Sequence, residues 1–173
     1  MALYFPAPKW DKTSYKQGSP EFGHNRGGSR IHGACDLYAP LDSDVVAVDA
    51  GIIVELSLYK FAGNTLAISI QHEGIGIIRY GEVVNIPKEY QKAGVKIEKG
   101  GVVIGKVGRA VASYPPMLHF ELFDGSGSGQ LSDKVHKIEY YNEGVLKNGN
   151  YQRRADLMNP TKFLDRLWLE GIK

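Results

Sequence analysis

Short apolar runs, broken by glycine and polar turns, fill the middle of the chain. Segments at about 45–49, 51–58, 65–71, 75–84, 102–107 and 117–123 are rich in Val, Ile, Leu and Tyr, residues that suit a pleated, half-buried surface. The runs at 65–71 and 75–84 flank Glu73-Gly74 and predict a hairpin. Val95 to Gly101 reads as a strand followed by a turn. In Met117-Leu118-His119-Phe120-Glu121-Leu122 polar and apolar residues alternate, which puts His119 and Glu121 on one strand face and Leu118 and Phe120 on the other. The pattern predicts an all-β core, an antiparallel β-sandwich or half-open barrel. A helical period appears only near the C-terminus, where Phe163, Leu164, Leu167 and Trp168 form a core-packing stripe after Asn159-Pro160-Thr161.

Other stretches carry no strong period. Residues 1–30, with Pro6, Pro8 and Pro20 among Gly, Ser, Lys and Asn, read as an irregular N-terminal arm that lines one wall of a cleft, ahead of a domain at 31–173. Asp124 to Gln130 is Gly- and Ser-rich and reads as a flexible loop. It serves either as the rim of a groove near His119 or as a solvated connector. Residues 134–151, with Tyr140-Tyr141, read as an insertion.

Composition narrows the class. A chain of 173 residues forms one domain that buries roughly 70% of its unfolded surface. Its 43% hydrophobic and 23% charged residues are ordinary for a globular protein, and a net charge of +2 gives no reason to expect nucleic acid as a partner. The single cysteine, Cys35, excludes an intramolecular disulfide. Alternation turns it away from Asp36, as a small buried filler. The first residues lack the basic segment, apolar run and cleavage site of a signal peptide. No apolar stretch is long enough for a membrane span.

Two segments carry candidate chemistry: Arg30-Ile31-His32-Gly33-Ala34-Cys35-Asp36-Leu37-Tyr38-Ala39-Pro40, and the strand around His119. Two imidazoles and a carboxylate suit a catalytic zinc, which takes three protein ligands and keeps a fourth position open. Spacing alone leaves a second reading standing, a hydrogen-bonded strand histidine at 119 and a loop histidine at 32. Glu121 either orients the His119 imidazole from behind or is a solvated strand-end charge.

The segments, in this order, resemble the LytM/lysostaphin family of zinc metallopeptidases, which cut peptide bonds in bacterial peptidoglycan. The likeness runs from about Phe22 to Leu122, with a weaker tail to Leu164. It takes in His32 to Pro40, Val45 to Ile53, Ile68 to Gly74, Val102 to Gly108 and His119-Phe120-Glu121. It implies the lysostaphin-like fold with a short C-terminal helix, zinc as cofactor, and His32, Asp36 and His119 as its ligands. The substrate it implies is a peptidoglycan peptide.

Two departures stand out. Active members carry two further histidines, the first of a His-x-His pair and one in a Tyr-x-His-Leu segment. Here those positions hold Met117 and Glu82, the latter within Tyr80-Gly81-Glu82-Val83. Glutamate can act as a general base or as a fourth zinc ligand, whereas methionine has no proton to donate. Strand alternation would put Tyr80 on the same side as Glu82, which makes it the expected oxyanion donor. Arg79 would then face away, solvated or salt-bridged. Tyr114, Arg109 and His72 are further candidates, with His72 read as structural.

The expectation is a zinc-dependent peptidoglycan endopeptidase acting in the periplasm or outside the cell. Delivery by a specialised secretion system or a phage fits the missing address. The tail Gln152 to Leu157 resembles family members associated with type VI secretion, which brings an antibacterial role and an immunity protein as possible partner. The alternative is an inactive, zinc-containing peptidoglycan-binding or regulatory module.

Overall fold

The computed structural model describes residues 3–13, 15–27, 31–58, 61–133, 138–141, 144–147 and 152–170. Its strands are β1 (Cys35–Tyr38), β2 (Asp44–Val46), β3 (Gly51–Ser57), β4 (Leu66–His72), β5 (Gly76–Val84), β6 (Lys96–Ile97), β7 (Val103–Val107) and β8 (Met117–Phe123). After them come β9 (Ser132–Asp133), β10 (Ile138–Tyr141), β11 (Gly144–Lys147), β12 (Gln152–Arg153), β13 (Leu157–Met158) and the helix α1 (Thr161–Leu169).

Nine strands make one antiparallel sheet with the path β1-β8-β5-β4-β3-β6. The remaining members attach to it, β13 to β8, β7 to β5, and β2 to β7. This is the expected all-β core with a single short C-terminal helix among the described residues. The β4–β5 hairpin forms around Glu73-Gly74 as the pattern predicts, with Gly74 at φ +69°. Asn159 Oδ1 accepts the Thr161 backbone N–H and helps start α1. No helix among the described residues is long and apolar enough to cross a membrane.

The main core lies under one sheet face, where Leu37, Ile68, Ile70, Ile78, Tyr80, Leu118 and Phe120 meet Leu164 and Leu167 of α1. The N-terminal arm belongs to this core and does not stand apart from it. Phe5, Ala7 and Tyr15 are buried in it, and Trp10 stacks on Phe5 at 5.2 Å and meets Trp168 edge-on at 5.1 Å. On the other sheet face a smaller cluster of Ile77, Phe123, Leu131 and Leu157 closes one end.

One loop expectation changes. The 124–130 loop is fastened, because Asp156 accepts the N–H groups of Gly125 (3.1 Å) and Gly127 (3.2 Å) while Arg154 clamps the same carboxylate. It follows the Phe123 end of β8, two same-face positions beyond His119. Most of the 134–151 insertion lies outside the described residues, as does Arg30. Within it the backbones of β10 and β11 pair antiparallel.

Candidate metal centre

Cross-strand register assembles the site. β1 and β8 pair Asp36 with His119 and Tyr38 with Met117, while β8 and β5 pair His119 with Gly81 and Glu121 with Arg79. Residues directly opposite share a face, so these side chains stand together on the face away from the main core. Along β8 that face is most exposed at His119, with Met117 buried on one side of it. The His119 side chain is 12% exposed, whereas Glu121 and Phe123 are fully buried.

His32 arrives from the loop before β1. Its Nε2 lies 3.1 Å from Asp36 Oδ1 and 3.4 Å from His119 Nδ1, and His119 Nδ1 is 2.9 Å from Asp36 Oδ1. Ligands about 2.1 Å from a tetrahedral ion sit about 3.4 Å apart, so the triangle is close to the size a zinc ion needs.

The outer atoms of the three residues explain their orientation. His32 Nδ1 donates to the Glu21 carbonyl at 2.8 Å, and His119 Nε2 donates to Glu121 Oε1 at 3.1 Å. With those nitrogens protonated, neutral rings aim bare lone pairs inward, beside the Asp36 oxygen. Three acceptors facing one another need a cation between them, which is the donor chemistry of a metal site. Among the described residues no other His, Cys, Asp or Glu joins the cluster.

The electrostatics follow. Burial opposes a charged His119, but hydrogen bonds to Asp36 and Glu121 outweigh it and lift the metal-free pKa to about 9. For His32 burial dominates and lowers the pKa. Burial would raise the Asp36 carboxyl, yet the two imidazoles hold it well below the carboxylate range. Arg26, from the N-terminal arm, donates to Asp36 Oδ2 at 2.9 Å.

Behind His119 lies a buried ionic network. Arg79 donates to Glu121 Oε2 (3.1 Å), Ser132 Oγ (2.6 Å) and Glu55 Oε1 (2.5 Å), and Arg153 contacts Glu121 Oε1 through Nε (2.9 Å) and Nη2 (2.8 Å). Burial works against ionisation of Glu121, and the two arginines, then His119, hold it ionised. Arg79 is therefore salt-bridged but neither solvated nor turned away, since it shares the His119 face.

Tyr80 lies elsewhere. It is fully buried in the main core, where its hydroxyl accepts the Val48 N–H at 3.0 Å and donates to His72 Nε2 at 3.1 Å. His72 Nδ1 donates in turn to the Ala50 carbonyl at 2.8 Å, a structural role. The expectation that Tyr80 and Glu82 share a face fails because β5 carries a bulge. Gly81 pairs with Ala67 and Val83 with Leu66, leaving Glu82 as the extra residue at φ +57°. β5 also changes partner there, from β8 up to Gly81 to β7 from Val83.

The bulge aims Glu82 toward the cluster. Its pKa is raised by burial, with opposing contributions from His119 and Asp36, and Oε2 has no hydrogen-bond partner. Cys35 faces away from the metal triangle, with Sγ 3.5 Å from Thr161 Oγ1.

Sequence reasoning missed two neighbours. Phe61 lies 5.7 Å from the His119 ring and fills the space over Gly81, where a Cβ would come within 2.5 Å of it. Tyr38 is half-buried on the site face. Burial raises its pKa, and the phenol interacts electrostatically with Asp36, Arg26, Asp11 and Glu82. Its position two residues after Asp36 was the available signal.

The sheet and the donor triangle define an all-β domain with a candidate metal centre. Peptidase family M23 matches residues 30–131, and the chain belongs to this family of zinc peptidases. The catalytic domain of the antimicrobial peptidase lysostaphin from Staphylococcus simulans superposes with a TM-score of 0.54 at 21% identity, over 87% of this chain and 92% of that domain. LytU gives 0.55 at 17% identity, covering 89% and 90%. A zinc containing peptidase from Vibrio cholerae gives 0.52 at 24% identity, covering 70% of this chain and 36% of its own. These likenesses establish the fold. No match was found among curated proteins.

Proposed function

We propose that this protein is a zinc-dependent peptidoglycan endopeptidase that cleaves the peptide cross-links of the bacterial cell wall. The convergence of His32 Nε2, His119 Nδ1 and Asp36 Oδ1 as three inward-facing acceptors carries the reading. These three residues would hold the ion. Bound zinc supplies a Lewis acid and makes a coordinated water acidic near neutral pH.

The chain's own groups do the rest. Glu82, buried and with a free oxygen, accepts the proton of the attacking water and returns it to the leaving amine. Glu121 holds the His119 ring in its working tautomer, and Arg26 keeps Asp36 Oδ1 turned inward. Phe61 shields the flank of His119 from water.

The substrate lies outside the cytoplasm, so action in the periplasm or beyond the cell belongs to the proposal. So do an antibacterial effector role, delivery by a type VI system or a phage, and an immunity protein that covers the cleft. A second reading, an inactive zinc-containing wall-binding or regulatory module, is favoured by Met117, which leaves one catalytic-histidine position of the family without an imidazole.

Incubation of zinc-loaded protein with purified sacculi, alongside His119→Ala, separates the two. The proposal expects cross-linked muropeptide dimers to become monomers, by mass spectrometry, only with His119 intact. Sacculus binding with an unchanged muropeptide profile supports the module.

A further inference from the structure

We propose that Tyr38 is the hydrogen-bond donor that meets the carbonyl oxygen of the scissile peptide, doing from β1 what Met117 cannot do from β8. The inference rests on the peptidase reading above and assigns a residue within that site.

Register carries the argument. Tyr38 follows Asp36 by two residues on β1, so both side chains leave the strand on the same face. It lies directly opposite Met117, just as Asp36 lies opposite His119. The donor thus stands at the next same-face pair beyond the metal triangle, toward the Met117 end of β8, and Tyr38 is itself only half-buried. The opposite end, past Glu121, is sealed by Phe123, Leu131 and Leu157.

The other candidate donors are committed elsewhere or, like Arg109, exposed. Tyr80 is buried in the main core, bonded to Val48 and His72. Arg79 is spent on Glu121, Glu55 and Ser132, and Arg153 on Glu121. Arg26 is held by Asp36 and Ser19. Tyr114 is 59% exposed on the 108–116 connection. The Tyr38 hydroxyl, half-buried, makes no hydrogen bond to any described residue. A phenol there is a neutral donor at working pH. Such a donor is strengthened by the low-dielectric surroundings when negative charge develops on the oxygen it faces.

The test compares zinc-loaded wild type, Tyr38→Phe, and Tyr38→Phe combined with Met117→His. Three quantities are read. They are kcat and KM on a synthetic cross-link peptide, affinity for the phosphinic analogue of that peptide by calorimetry, and zinc affinity with Tm. Removing the donor should lower kcat by about 100-fold and weaken the phosphinate about tenfold or more, with KM, zinc affinity and Tm little changed. Adding an imidazole at 117 should restore part of the lost kcat, which a merely structural tyrosine would not allow.

Wild-type kcat and phosphinate affinity in Tyr38→Phe would overturn the assignment and leave the peptidase reading intact. A fall in kcat matched by losses of Tm or zinc affinity would also overturn it, by making Tyr38 structural. Wild-type protein that neither cleaves the peptide nor prefers the phosphinate would overturn both readings.

Discussion

The Nε2 of His119 lies 3.1 Å from Oε1 of Glu121, a fully buried carboxylate pinned from the far side by Arg79 and Arg153. That contact chooses which ring nitrogen carries the proton and leaves Nδ1 bare toward Asp36 and His32. Glu121→Gln weakens this acceptor while keeping its shape. Zinc affinity, measured by competition with a chromophoric chelator, should fall by about 10- to 100-fold. Unchanged affinity would reduce Glu121 to a packing residue.

Metal-free protein should lose stability in mild alkali. The folded-state pKa of His119, about 9, stands above its ordinary 6.5, so its proton stabilises the fold fully below pH 6.5. That contribution fades as pH rises from 6.5 through 9. Asp36 and Glu121 have the opposite sign. Held below the carboxylate range, they stabilise the fold above about pH 4 and lose that effect on acidification. Calorimetry of chelator-treated protein should therefore show Tm declining between pH 6.5 and 9. A Tm that climbs across this interval would contradict the His119–Asp36–Glu121 arrangement.

Glu82→Gln separates a base from a ligand. Glu82 does not belong to the donor triangle, so zinc affinity should hold while hydrolysis slows by about 100-fold or more. A comparable fall in zinc affinity would instead make Glu82 a fourth ligand and favour the inactive module.

Tyr80→Phe should act on stability alone. It removes the acceptor for the buried Val48 N–H and the donor to His72, which costs about 1–3 kcal/mol in denaturant unfolding. Zinc affinity and rate should be those of the parent. A slow but fully stable variant would return Tyr80 to the site.

Arg79→Leu should be among the most damaging single changes. It leaves Glu121 buried without one of its two cations and removes the partner of Glu55. Stranding a buried charge costs about 3–5 kcal/mol. Thermal unfolding should show a large drop even with zinc bound.

Much of this was legible from local pattern. Alternation in 117–122 predicted that His119 and Glu121 share a face, and alternation around Asp36 predicted that Cys35 turns away from it. Glu73-Gly74 marked the β4–β5 hairpin. Alternation failed at Gly81-Glu82, where an extra residue and a change of partner strand separate Tyr80 from Glu82. A bulge is set by which neighbours a strand meets, and one strand's residues do not disclose that. How the polar N-terminal arm packs was hidden for a related reason. Its few large residues, Phe5, Trp10 and Tyr15, bury against α1, some 150 residues away in sequence.

The sequence by itself determined the strand and helix pattern, the family resemblance and the chemical types at the site, because each is written in residue identity and short-range period. Tertiary structure alone decided which nitrogens of His32 and His119 face inward and which groups stand behind them. It also decided, through the bulge in β5, that Glu82 and Tyr80 part company. Those outcomes depend on cross-strand register and burial, which bring Glu21, Arg26, Arg79, Glu121 and Arg153 together from distant parts of the chain.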